Sequence, residues 1–284
     1  EYNYKYKRSR GKIRDVMAEL SSLNRVQIPK KMHSPCSLDD RYNPRDIIAM
    51  KNCLLDISVF PPRELPLSSN FYTMNYLPFD YDPKRRWDNW LEFVSTVFTI
   101  EQMSKDSVWD ATADDFVPRI IETADDFAAE ILQEWFGYFT TTDTHQQKIF
   151  GLVGPRRSGK STIARVLRQM VGPRNVASPT LTSLSSEFGL QPLLNKSLAI
   201  IGDANTTGRN ADVARAVERL KSISGEDGQQ INRKNEDYAE VDRLGTRILM
   251  VANKIQDLRD STGALASRFN FLVTTQSFLG REDT

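Results

Sequence analysis

Between positions 154 and 161 the sequence reads Gly154-Pro155-Arg156-Arg157-Ser158-Gly159-Lys160-Ser161. Two glycines bracket four residues, and a lysine and a hydroxyl follow. This is the complete GxxxxGK[ST] pattern of a phosphate-binding loop. Gly154 and Gly159 permit backbone angles closed to other residues and let amide groups approach phosphate oxygens. A helix starting at Lys160 would aim its positive end at the same place. Lys160 would reach the β- and γ-phosphates, and Ser161 would place its hydroxyl on Mg²⁺. The expected ligand is therefore ATP with Mg²⁺, contacted along Gly154, Pro155, Arg156, Arg157, Ser158, Gly159, Lys160, Ser161 and Thr162.

A loop that holds phosphates needs further groups before it can hydrolyse one. Leu198 to Ile201 is an apolar run followed by Gly202 and Asp203, about forty residues after the loop. Asp203 is placed to complete the Mg²⁺ site. Ala204 and Asn205 follow where many ATPases carry a second acid, so the water-activating base is unassigned; Glu226, in a Ser-Gly-Glu-Asp turn, is a candidate. Ile248 to Ala252 is another apolar run, ending in Asn253, an amide suited to orienting water near a γ-phosphate. Arg268 precedes a further apolar run and could stabilise transition-state charge, most naturally in a neighbouring subunit's site.

The elements that must position these residues follow from periodicity. Strands are expected at Ile149–Val153, Leu198–Ile201 and Arg247–Ala252, with helices over Ser161–Val171 and Ala211–Ile223. Strands separated by helices predict a parallel sheet between helices. Upstream, Trp87, Trp90, Leu91, Val94 and Phe98 recur at helical steps. Ile120 to Phe139 does so too, through Ile121, Ala124, Phe127, Ala128, Ile131, Leu132 and Trp135. Both segments are expected to be helical and their aromatics to be core. Asp46–Phe60 reads as a buried strand pair or a short helix, broken by Pro61, Pro62 and Pro66.

Composition bounds the rest. Two cysteines in 284 residues exclude a disulfide framework and point to a reducing setting. No apolar run reaches the ~18 residues of a membrane span. The net charge of +1 does not announce a nucleic-acid binder, but residues 5–14 carry six cations and no acid, and residues 106–134 carry an acidic excess. Glu1 in place of Met suggests a fragment of a longer chain.

Four segments in order carry a family likeness: Ser222 to Asp227, Asn232 to Asn235, Thr246 to Asn253, and Ser261 to Phe269. Over about residues 70 to 275 the chain resembles the phage and plasmid primase-helicases, related to the poxvirus primase-helicase. These are superfamily 3 helicases, a branch of the AAA+ ATPases. The resemblance implies an α/β AAA+ P-loop core behind a small, mainly helical domain. The expected limits are a partly extended, linker-like segment over 1–70, a helical collar-like domain over 71–146 and the ATPase over 147–284. It implies a β-hairpin at about residues 229–240 whose basic tip, Lys234 first and Arg233 second, contacts single-stranded DNA. It implies a homo-oligomeric ring, as in a hexamer, in which Lys160, Asp203 and Asn253 of one subunit meet Arg268 of the next. It further implies a replicative helicase of a phage, plasmid or integrated element in the host cytoplasm, with a primase or polymerase domain possible on the same longer chain. The alternative is an AAA+ initiator or loader that binds DNA without unwinding it; a small-molecule kinase is a third reading.

Overall fold

The computed structural model describes residues 10–23, 34–110, 115–202, 210–254 and 266–280. Its centre is a five-stranded sheet made of β8 (Ile149–Val153), β9 (Val176–Ala177), β10 (Leu198–Ile201), β13 (Arg247–Ala252) and β14 (Phe269–Val273). Every pairing is parallel, and the order is β14-β8-β13-β10-β9. All five residues of β8 are buried, as a strand covered on both faces requires.

The alternation along β8 assigns the two faces. Ile149 and Val153 pack with Leu184 of α5 (Leu181–Ser185) and with Ala216, Leu220 and Ile223 of α6 (Asn210–Ser224). Phe150 and Leu152 pack on the other side with Ile163, Leu167 and Val171 of α4 (Lys160–Val171) and with α3 (Asp126–Thr140). Leu132, Trp135, Phe136 and Phe139 of α3 are all buried there. Each such side chain contributes on the order of 1.5–3 kcal/mol by leaving water. The strands and helices expected at 149–153, 198–201 and 247–252, and over α4 and α6, lie where the periodicity puts them.

Arg247 anchors α3 to the sheet. Its guanidinium is buried and donates from Nη1 to Asp143 O (3.2 Å) and from Nη2 to Phe139 O (3.3 Å), at the carbonyl end of α3. It sits 5.9 Å from the Tyr138 ring centre. Burial pushes its pKa down to about 10, so it stays charged at neutral pH against a helix end that favours a cation.

The upstream region departs from expectation. Helix α2 (Asp88–Val97) forms, but it buries Val94 and Val97, with Phe98 just beyond its end; Trp87 and Leu91 are exposed. The helix expected over Ile120–Phe139 begins only at Asp126. Before it lies a long antiparallel hairpin, β6 (Thr99–Asp110) with β7 (Asp115–Ala124). Val117, Ile120, Ile121 and Thr123 are β-branched and favour the strand, and the Asp125 side chain accepts from Ala128 N (3.0 Å) to start the helix. Residues 71–146 are thus two helices with a hairpin between them, rather than mainly helical.

Nearer the N-terminus, β2 (Ile47–Ala49), β3 (Leu54–Asp56) and β4 (Arg63–Leu65) make an antiparallel sheet, the strand pair read from Asp46–Phe60. β1 (Cys36–Ser37) pairs with β5 (Phe71–Tyr72), and Cys36 and Cys53 are free and buried. Helix α1 (Arg10–Ser22) precedes them. The last element pair is the hairpin β11 (Gln229–Arg233) with β12 (Glu236–Val241). No helix among the described residues is long and apolar enough to cross a membrane.

Candidate functional site

The glycine-rich loop leaves the carboxyl end of β8 and turns into α4. Gly154 donates its N–H to Ala252 O at the tip of β13 (3.3 Å). A Cβ at Gly154 would stand 2.0 Å from Thr274 Oγ1 and 2.3 Å from Thr274 O, so only glycine fits beside that strand end. Gly159 has φ 84°, the left-handed region, and caps α4. A Cβ there would meet Val97 Cγ2 of α2 at 2.7 Å. Arg157 is also left-handed, at φ 59°. Ser158 is buried and shares a 2.7 Å hydrogen bond with Thr274 Oγ1.

Lys160 points back into the loop it follows. Its ammonium is buried and donates to Gly154 O (2.8 Å), Pro155 O (2.5 Å) and Ser158 Oγ (3.1 Å). A buried cation must be compensated, and the loop's own oxygens do it. Arg156 and Arg157 are exposed on the rim, and their carbonyls accept from Ser277 Oγ and Phe278 N. Ser161 is exposed at the start of α4, and Thr162 Oγ1 accepts from Arg165 Nη2 (3.1 Å). The result is a loop with an interior cation and a helix N-terminus behind it, which suits an anion with several oxygens.

Asn253 lies at this same edge. β13 pairs with β8 in the register Ala252↔Val153, so Asn253 follows directly beside the glycine turn. β10 also ends at this edge, at Ile201; Asp203 lies outside the described residues. Among the described residues no group of three or more His, Cys, Asp or Glu forms a metal site.

Two other predicted residues lie at the opposite, amino-terminal edge. Arg268 immediately precedes β14, whose Phe269 pairs with Ile149. The five residues of β8 therefore separate it from the loop, on the order of 16 Å. Its guanidinium donates to Lys221 O (3.0 Å) and Ser224 Oγ (3.2 Å), capping the C-terminal turn of α6. Arg268 cannot serve its own subunit's loop from there.

Glu226 is at that edge as well, which removes it as the base for its own site. It has φ 62°, and its Oε1 accepts from Thr144 Oγ1 and from Arg243 Nη1 (2.7 Å). The Thr144 hydrogen bond, then that from Arg243, holds its carboxyl below the usual range. A depressed folded-state pKa stabilises above the unfolded value and is lost as pH falls through the folded one. Glu226→Gln should therefore cost about 1–2 kcal/mol at pH 7. The deficit should shrink as pH falls through the carboxylate range, read from denaturant melts at several pH values. A deficit independent of pH would refute the charged Glu226–Arg243 pair.

The hairpin tip falls at Lys234-Asn235, with Asn235 left-handed at φ 61°. Lys234 is exposed, and its backbone N–H donates to Gln191 Oε1 (3.2 Å). Arg233 is tied down, with Nη1 2.6 Å from Glu236 Oε2 and Nε 2.7 Å from Asp237 O. Of the two predicted cations only Lys234 presents its side chain outward. The root of the hairpin is fastened to the α6 end, where Gln229 Nε2 donates to Ser222 Oγ.

Sequence reading missed the supports. Thr274 locks the loop through Ser158, and its signal was a hydroxyl in register with the end of β8. Thr144 and Arg243 hold Glu226 from 82 and 17 residues away, and no local pattern marks them.

A family model described as a family of unknown function (DUF5906) matches residues 152–268, less than half of the chain. No curated protein matches. Among solved structures, the apo structure of the NrS-1 C-terminal region is similar at 18% identity and a TM-score of 0.46, covering 56% of this chain and 37% of that one. A JCV helicase crystal structure is similar at 16% identity and a TM-score of 0.39, covering 52% and 42%. The chain thus spans about two fifths of the length of these structures.

Proposed function

We propose that this chain is the ATP-hydrolysing part of a ring-forming DNA helicase, acting on single-stranded DNA in the cytoplasm of a host cell. The observation that supports the proposal is the loop after β8, where left-handed Gly159, buried Lys160 and the N-terminus of α4 come together in one turn. ATP is the ligand that also gives purpose to Asn253 at the neighbouring strand tip and to a basic hairpin. Magnesium would be held by Ser161 and Asp203 together with nucleotide oxygens and water. Its role there is to neutralise charge on the transferred phosphoryl group.

The ring is proposed from Arg268. A cation at the sheet edge, far from its own loop, would serve a neighbour's loop, and a closed ring, six-membered in our reading, would supply every subunit with one. The ATPase would occupy 147–284, with residues 71–146 as a collar and 1–70 leading into it, and a primase or polymerase domain is proposed for a longer chain. The water-activating residue then lies outside the described segments or in the adjoining subunit.

DNA contact is proposed for Lys234, exposed at the hairpin tip. Lys234→Ala should weaken single-stranded DNA binding about equally for all sequences and reduce the slope of log affinity against log salt by about 0.7–1. An unchanged slope would remove Lys234 from the interface. ATP turnover with and without single-stranded DNA tests the whole reading. Strand displacement then separates the motor from an initiator or loader, which would bind and hydrolyse without unwinding.

A further inference from the structure

A cavity of about 680 Å³ lies between the N-terminal strands and the amino-terminal edge of the central sheet, the edge opposite the glycine-rich loop. Sites for small ligands occupy about 300–1,000 Å³. Two core segments build one wall: residues 193–197, which lead into β10, and residues 241–247, which run from β12 into β13. Thr246 fastens them together, its hydroxyl lying 3.1 Å from Leu193 O and 2.7 Å from Lys196 O, and Arg247 N donates to Ser197 O (3.0 Å). The other wall comes from Arg45, ahead of β2, and from Tyr72, Met74 and Asn75, in and after β5. Met74 N donates to Ser34 Oγ (2.8 Å), which holds that turn.

The walls are cationic. The one acid among the described lining residues is Asp242, against Arg45, Lys196, Arg243 and Arg247. Of these four cations Arg243 alone pairs with a carboxylate, that of Glu226 (2.7 Å). Lys196 Nζ donates to a carbonyl, Arg174 O (2.5 Å), and Arg45 is exposed with no ion pair among the described residues. Arg247 is 3% exposed and donates only to carbonyls; its Nε is a buried donor with no partner among the described residues. Asp143, the nearby acid, is paired with His145. A buried charge with no counter-ion is costly, and an anion in the adjoining cavity would supply one. The same walls also carry a ring and apolar surface, from Tyr72, Met74 and Leu194, and the amides of Asn43, Asn75 and Asn195, which both donate and accept.

We infer that this cavity binds a nucleotide, with its phosphate among the four cations and its base against Tyr72 and the asparagine amides. A bare phosphate would fill little of the space and use only the cations. A phosphate ester with a planar, hydrogen-bonding body fills it and uses both kinds of wall, because a base offers a face to stack and an edge to bond. Residues 24–33, which lead into Ser34, carry Arg25, Lys30 and Lys31 and no acid, so like charge disfavours them as the occupant. A free nucleotide and one nucleotide of a single strand share this chemistry. The site stands at the other end of the strands from Lys160, so it neither needs ATP turnover nor fails with it.

The test is calorimetric titration of the full chain carrying Lys160→Ala and Lys234→Ala, which silences the loop and the hairpin tip and leaves this cavity intact. The probes are thymidine monophosphate, thymidine and a short oligo(dT), at one fixed ionic strength. Thymidine monophosphate or oligo(dT) should bind saturably, one site per chain, and thymidine, which lacks the phosphate, at least about tenfold more weakly. Two further variants address the walls at exposed positions: Arg45→Glu reverses a charge, and Met74→Trp fills space. Each should weaken binding about tenfold or more, whereas Lys84→Glu, an exposed cation outside the lining, should leave it within about twofold. Thermal melts check that each variant folds, and the comparison with thymidine needs no change in the walls. Losses seen with the mononucleotide assign the site to free nucleotide; losses seen with oligo(dT) alone assign it to the strand. Absence of saturable binding by both phosphate probes would overturn the inference. So would thymidine binding as tightly as its phosphate, or binding that Arg45→Glu and Met74→Trp leave unchanged in folded chains.

Discussion

Lys160→Ala should reduce ATP turnover by at least ~10²–10³-fold, the effect of removing one preorganised charge-stabilising donor from a site that excludes water. In the structure Lys160 Nζ is held by Gly154 O, Pro155 O and Ser158 Oγ, so the ammonium is already directed inward before any phosphate arrives. Phosphate oxygens would exchange for those carbonyls at little cost in reorganisation. Removing the cation leaves the two carbonyls and the buried Ser158 without that donor, but the Ser158–Thr274 bond remains. The variant should therefore fold and melt within a few degrees of wild type. Steady-state hydrolysis beside a thermal melt checks both parts. Turnover that persists at the wild-type rate in a folded Lys160→Ala chain would sink the ATPase reading.

The glycine-rich turn after β8 was the most legible feature of the sequence because its residue pattern is local. Glycine at two positions, lysine and serine at the next two, and an apolar strand before them all act within about ten residues. The parallel sheet was legible for a related reason. β8, β10 and β13 are short apolar runs buried on both faces, and α4 and α6 show helical spacing. The strand order is not local, and nothing in the sequence of β13 says that it separates β8 from β10. Yet that order puts Asn253 beside Gly154.

The failures are equally physical. Ile120 and Ile121 fit a helical stripe running into α3, but they belong to β7, whose backbone pairs with β6. The Asp125 cap marks the true start of the helix, and apolar spacing alone runs past it. Glu226 was a candidate for the water-activating acid, with a plain turn residue as the alternative. Its partners Thr144 and Arg243 fix it at the far edge of the sheet, and that separation is a tertiary fact.

Arg268→Ala should lower turnover by about 10³-fold or more, as loss of a finger arginine does, while barely changing stability. Among the described residues Arg268 caps α6, at Lys221 O and Ser224 Oγ, a half-exposed contact of about 0.5–1 kcal/mol at most. A large loss of turnover with a small loss of stability would mean that its work is done elsewhere. Mixing decides where. A chain with Arg268→Ala keeps its loop, and a chain with Lys160→Ala keeps its arginine. Each is inactive alone. In a randomly mixed ring about a quarter of the interfaces would pair an intact loop with an intact arginine from the next subunit, so turnover should reappear at up to about that fraction of wild type. Recovery on mixing would assign Arg268 to the neighbour's site. Failure to recover in rings shown to exchange subunits would return it to the role its own chain displays, a cap on α6. The Arg268 contact also lies near the hairpin. The turn it caps carries Glu226 and leads within a few residues to Gln229, the root of the hairpin that ends in Lys234.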